Sequence, residues 1–169
     1  MAYRTREYLF KSMALLTMLG VVGMWPQAPA SADPAIIKNI EGSWRGSGTV
    51  TPSRGGRERI NCRVKYDVLG SRIKQHIYCA GADYKINVNG KLTVQGNNIS
   101  GSWTETNNNY SGGASGSVRG NSINVRISGV SFTGTMAIKL TGRSQKVHIT
   151  RYDAKSKKYV NLANISLRK

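Results

Sequence analysis

Two thiols, two imidazoles and eight carboxylates are the side chains of this 169-residue chain best suited to chemistry beyond simple contact. The thiols have the most specific spacing. Between Cys62 and Cys79 lies Gly70-Ser71, which fits a two-residue type II′ turn whose first central position needs φ > 0, and therefore glycine. Leu69 then faces Arg72, and counting outward by alternation sets Cys62 against Cys79 at a non-hydrogen-bonded site. Cα atoms there approach to about 4.5 Å, within disulfide range. The chemistry indicated is oxidation to a structural cystine, which leaves no free thiol as nucleophile. His76 and His148 are distant in sequence and fall at outward strand positions, so neither a catalytic triad nor a two-histidine zinc site is supported. Beyond Glu7 near the start, the carboxylates are Asp33, Glu41, Glu58, Asp67, Asp83, Glu105 and Asp153, and none recurs as a spaced pair suited to acid–base work. The expectation is a protein that is not an enzyme, with no catalytic residues, no metal ligands and no cofactor.

The elements that must position the cysteines are β-strands. The hairpin register places Ile60, Cys62, Val64, Tyr66 and Val68 on one face with Ile73, Gln75, Ile77 and Cys79. Period-two alternation continues beyond it, and helical spacing is nearly absent. Tyr84, Ile86 and Val88 share a face, as do Leu92 and Val94, and a three-residue connection at Asn89 to Lys91 would pair Val88 with Leu92. Gly96-Asn97 and Gly120-Asn121 mark two similar hairpins, pairing Val94 with Ile99 and Val118 with Ile123. Ser128-Gly129 reads as a further turn bringing Val125 to Phe132. A strand around Met136, Ile138 and Leu140 returns through Gly142 to Val147 and Ile149, and a basic turn at Ala154 to Lys158 leads into a last strand, Tyr159 to Leu167. With a first strand at Trp44 to Val50, this predicts an all-β fold, a single up-and-down antiparallel β-barrel of about 8–10 strands with one hairpin disulfide. A two-sheet sandwich stays open, because hairpin signals do not show whether the first and last strands meet. Gly46, Gly48, Gly101, Gly116 and Gly134 fall on the inward parity, where glycine either lets strands bend or leaves interior space.

Residues 1–32 read as a signal peptide. Arg4, Arg6 and Lys11 precede an apolar run from Met13 to Trp25, too short for a span of about 20 residues, and Ala30-Ser31-Ala32 supplies a small-residue cleavage pattern. Residues 33–169 form one β-barrel domain, placed in the periplasm or secreted, which agrees with a disulfide. No later segment is apolar enough to be a transmembrane segment of the mature chain. The whole chain has 25 basic and 8 acidic residues and a net charge of +17; the leader removes three basic residues and Glu7, leaving +15. Such a charge favours anionic partners or serves solubility. Nucleic acid is disfavoured, since neither an arginine-rich run nor a series of stacking aromatics accompanies the charge.

The segment Ile40-Glu41-Gly42-Ser43-Trp44-Arg45-Gly46-Ser47-Gly48 resembles the G-x-W opening strand of calycin-type barrels, which include lipocalins, avidins and fatty-acid-binding proteins. The resemblance implies structural roles for Gly42 and Trp44, the tryptophan plugging the closed end. The longer G-x-W-x-G-x-G is similar to nitrobindin-type haem barrels, whose inward histidine has no counterpart in the outward His76 and His148. The leader, early G-x-W, hairpin disulfide and short barrel together resemble periplasmic inhibitors of secreted metalloproteases. In those, the mature N-terminal arm enters the protease cleft, a part that would fall to Asp33-Pro34-Ala35-Ile36-Ile37.

What remains is binding, at either of two regions. On the outer face of the disulfide hairpin, Arg63, Lys65, Arg72 and Lys74 interleave with Tyr78, a set suited to phosphate or sugar-acid groups and equally to a solvated strand face. A polar loop, Thr106 to Gly113, follows Trp103 where a barrel mouth would be. The expected function is a periplasmic or secreted binding protein for a small apolar ligand or an anionic envelope component. The alternative is a protease inhibitor acting through the N-terminal arm.

Overall fold

The computed structural model describes residues 35–52, 55–83, 85–130 and 132–169. The leader at 1–32, its cleavage site, and Asp33-Pro34 lie outside the described residues. A short helix α1 (Ala35–Ile40) precedes ten strands: β1 (Gly42–Val50), β2 (Glu58–Leu69), β3 (Arg72–Ala80), β4 (Lys85–Gln95), β5 (Asn98–Glu105), β6 (Tyr110–Arg119), β7 (Ser122–Gly129), β8 (Thr133–Thr141), β9 (Ser144–Asp153) and β10 (Lys158–Arg168). Each strand pairs antiparallel with its neighbours in sequence, and β1 pairs with β10 from Arg45 opposite Arg168 to Val50 opposite Ala163. That last ladder closes the barrel and removes both sheet edges. The sandwich alternative is excluded.

The turn chemistry holds at the narrow end. Gly70, Gly96, Gly120 and Gly142 all have φ between 52° and 57°, each opening a two-residue connection. Leu69 faces Arg72 and Cys62 faces Cys79, with 4.1 Å between the cysteine Cα atoms and the disulfide formed. Val94 faces Ile99 and Val118 faces Ile123, as expected.

Three local expectations are corrected. Asn89 to Lys91 is not a connection pairing Val88 with Leu92 but the middle of the eleven-residue β4, where Gly90 faces Gln75 on β3 and Trp103 on β5. Ile86, Val88, Leu92 and Val94 share one parity, so the inward alternation runs straight through Gly90. A Cβ at Gly90 would lie 3.2 Å from Gln75 Oε1, so the glycine makes room for that buried side chain. Ser128-Gly129 likewise stays in β7, paired with Gly113 and Gly112, and Val125 meets Met136 instead of Phe132. The polar loop after Trp103 is shorter than predicted, because Tyr110 to Gly113 already pair with β5. Glu105 shortens it: its buried carboxylate accepts hydrogen bonds from the Asn107 and Asn108 backbone N–H groups at 3.0 and 2.8 Å and tightens the turn.

At the narrow end, α1 lies against the strands with Ile36, Ile37 and Ile40 in the core. Trp44 is completely buried, and its Nε1 donates to the Ile40 carbonyl at 2.7 Å. The Lys169 ammonium lies 5.6 Å from the Trp44 ring centroid, and Gly42, at φ 104°, has the Lys169 side chain against it. The inward glycines serve curvature. A Cβ at Gly46, Gly101, Gly116 or Gly134 would sit within 2.1 Å of a neighbouring strand's carbonyl oxygen, which shows how tightly the ribbon coils there.

Candidate functional site

The barrel is filled at one end and hollow at the other. Toward the narrow end, Trp44, Tyr66, Gln145 and Leu167 pack without exposure, and Tyr66 Oη accepts from Gln75 Nε2 at 3.3 Å. Burial raises the Tyr66 pKa despite the hydrogen bond made by Gln75, so the phenol stays neutral. Beyond Gln75 the side chains stop meeting across the axis and leave a cavity of about 350 Å³. Its walls come from nearly every strand. Ile77, Val88, Val125, Ile127, Met136 and Ile149 make them apolar, with the Cys79 half of the disulfide set among them.

The wide end carries the longer connections, and the cavity lining reaches them. Trp103 and Phe132 line it there, their rings edge to face with centroids 6.4 Å apart, and Trp103 Nε1 donates to the Gly113 carbonyl at 3.1 Å. Lys85, Glu105, Asn108, Tyr110 and Arg151 supply its polar groups. Burial would raise the Glu105 pKa, but hydrogen bonds from the Asn87, Asn107 and Asn108 backbone N–H groups and the Asn108 side chain outweigh it and hold the carboxyl below its usual value. Glu105 is thus an ionised turn clamp. This arrangement can enclose an apolar molecule of modest size; it offers no acid–base pair, and among the described residues no cluster of histidine, cysteine and carboxylate side chains could hold a metal.

The structure places the hairpin's basic residues outside the barrel. Arg63 faces Tyr78, Lys65 faces His76, Asp67 faces Lys74 and Leu69 faces Arg72. Lys65 is partly neutralised by Asp67 at 3.0 Å. His76 and His148 are exposed and bonded to Asn87 and Asn164 on neighbouring strands, away from the cavity. Closure adds two residues that the sequence reading missed. Arg45 lies between Arg63 on β2 and Arg168 on β10, so three exposed arginines stand in one cross-strand row. Like charges directly opposite each other are unfavourable. Arg45 had a legible outward parity, but its neighbours depended on the β1–β10 ladder. The cavity side chains of β7 to β10 were also missed as a site, although their inward parity was readable.

The predicted N-terminal arm is partly built into the fold, since Ile36 and Ile37 are buried. Among the described residues no helix is long and apolar enough to cross a membrane.

No family model matches the chain, and no curated protein matches it either. Among solved structures, the barrel is similar to the crystal structure of Rv2717c from M. tuberculosis, with a TM-score of 0.67 at 12% identity, over 84% of this chain and 98% of that one. At that identity the likeness is one of fold: a closed antiparallel barrel.

Proposed function

We propose that this chain is a non-enzymatic binding protein of calycin-like type that takes a small apolar molecule into its barrel. The observation that carries the reading is the cavity of about 350 Å³, walled by aliphatic side chains. Ligand sites are typically concave, largely apolar and about 300–1,000 Å³. At roughly 30 Å³ per non-hydrogen atom, the share of one water in the liquid, this one takes about a dozen such atoms. The disulfide suits an oxidising compartment, and the leader-like residues 1–32 suit export to a periplasm or beyond.

Decanol is a fitting neutral probe. Its binding, followed by calorimetry and by Trp103 fluorescence, should persist in high salt and fall about tenfold or more in Ala114→Phe, which fills the cavity from β6. Gly101 and Gly116 are unsuitable for that purpose, because any side chain there strikes backbone. Failure of both decanol and its carboxylate analogue decanoate to bind, or unchanged affinity in a folded Ala114→Phe protein, sinks the reading.

A second reading, an anionic envelope component held outside, is favoured by the Arg168, Arg45 and Arg63 row beside Tyr78. Heparin binding should then weaken steeply between low and moderate salt, and Arg45→Gln with Arg63→Gln should flatten the slope by about two counterions. A salt slope unchanged in the double variant would refute a role for that row. An inhibitory N-terminal arm finds less support, since Ile36 and Ile37 would have to leave the core.

A further inference from the structure

Arg151 is the anomalous residue of the cavity. It lies on the inward parity of β9, two residues beyond Ile149, and lines the cavity near the wide end. Its cross-strand partners are Gly134 on β8, which has no side chain, and Val160 on β10, which has no polar side-chain group to offer it. The guanidinium is largely enclosed: the side chain is 23% exposed, and Nε is buried without a hydrogen-bond partner. The nearest carboxylate, Asp153, approaches Nη1 only to 4.0 Å, beyond hydrogen-bond reach, and its other oxygen is engaged by the Ser156 hydroxyl at 2.6 Å and backbone N–H at 3.2 Å. Glu105, also in the lining, is committed to its turn. A permanently charged fork therefore stands at the rim of a largely apolar cavity with a buried, unpaired Nε and only a long ion pair to Asp153, an arrangement that a closer anion would complete.

Resting on the interior-ligand reading above, we propose that the ligand is an amphiphile with a carboxylate head, held by Arg151, and an apolar tail of about ten carbons directed inward past Ile149 and Met136. A guanidinium pairs a carboxylate through two parallel N–H···O bonds, which fixes the head group while the aliphatic walls accept the tail without specificity. Ile149 and Met136 face each other across β8 and β9 and both line the cavity, so they continue the path from Arg151 toward its floor at Gln75.

Decanoate and decanol, titrated into the mature chain, separate head from tail. Decanoate should bind at least about tenfold more tightly than decanol, as a charge-assisted hydrogen bond implies. Arg151→Met, which keeps the apolar stem, should remove that advantage, weakening decanoate at least about tenfold more than decanol, while Arg151→Lys should retain part of it. Circular dichroism verifies folding, and Arg151→Lys serves as the test if the methionine variant misfolds. Equal binding of the two probes to the unaltered protein overturns the head-group assignment, as does an equal loss of both in Arg151→Met. In either case the interior-ligand reading survives on decanol. If neither probe binds, that underlying reading fails first.

Discussion

Replacing Trp44 with alanine should destabilise the barrel by about 3–5 kcal/mol, the range for truncating a large buried aromatic side chain. The ring has no exposed surface, and its removal opens a void between α1, β1 and the Lys169 side chain. The helix should suffer with it. Six residues are too few to hold a helix in water, so α1 depends on the docking of Ile36, Ile37 and Ile40 and on the bond from Trp44 Nε1 to the Ile40 carbonyl. Trp44→Phe keeps most of the buried area and deletes only the donor, which should cost about 1–3 kcal/mol for an orphaned carbonyl. Urea unfolding followed by far-ultraviolet circular dichroism should order the midpoints wild type, Trp44→Phe, Trp44→Ala. An unchanged midpoint in Trp44→Ala would show that the ring does not plug the barrel.

Removing the disulfide, by reduction or by Cys62→Ala with Cys79→Ala, should lower stability by about 3 kcal/mol. The bridged cysteines are separated by 17 positions in sequence, and chain-entropy estimates for loops of that size give this magnitude. A second consequence follows from position. Cys79 lines the cavity, so breaking the bridge also loosens one wall where β2 and β3 meet the wide end. Denaturant curves with and without reductant should separate by that amount; coincident curves would mean that the β2–β3 ladder holds its geometry unaided. Because Cys62 lies only two residues along β2 from Val64, which faces Trp44, the two losses fall on neighbouring inward side chains and should couple instead of adding in a combined variant.

Much of the local structure was legible in the chain because turn residues and alternation are local physics. Gly70, Gly96 and Gly120 each announced a positive-φ turn, and each turn set the pairing of the strands it joins. The errors arose where a glycine had a non-local reason. Gly90 looked like the middle of a three-residue connection from Asn89 to Lys91, but it yields space to Gln75 on the preceding strand. Gly129 looked like a turn residue, but it pairs with Gly112, and a Cβ on it would lie 2.7 Å from the Ser111 carbonyl oxygen and 2.9 Å from the Trp103 ring. In neither case does the neighbouring sequence contain the atom that requires the glycine.

The amino-acid sequence by itself determined the strands of the disulfide hairpin, the facing of Cys62 and Cys79, the inward and outward parity of most residues, and the G-x-W opening at Gly42 and Trp44. Only the tertiary structure decided that β1 meets β10, which excludes the sandwich and aligns Arg45 with Arg63 and Arg168. It alone decided that the core is filled at the Trp44 end and hollow beyond Gln75, and that Arg151 lines the hollow with its Nε unpaired. The division has one physical origin. A hairpin is set by φ angles and alternation within about twenty residues, whereas closure and cavity volume depend on how ten tilted strands share a single axis, a sum over distant side chains that no local pattern encodes.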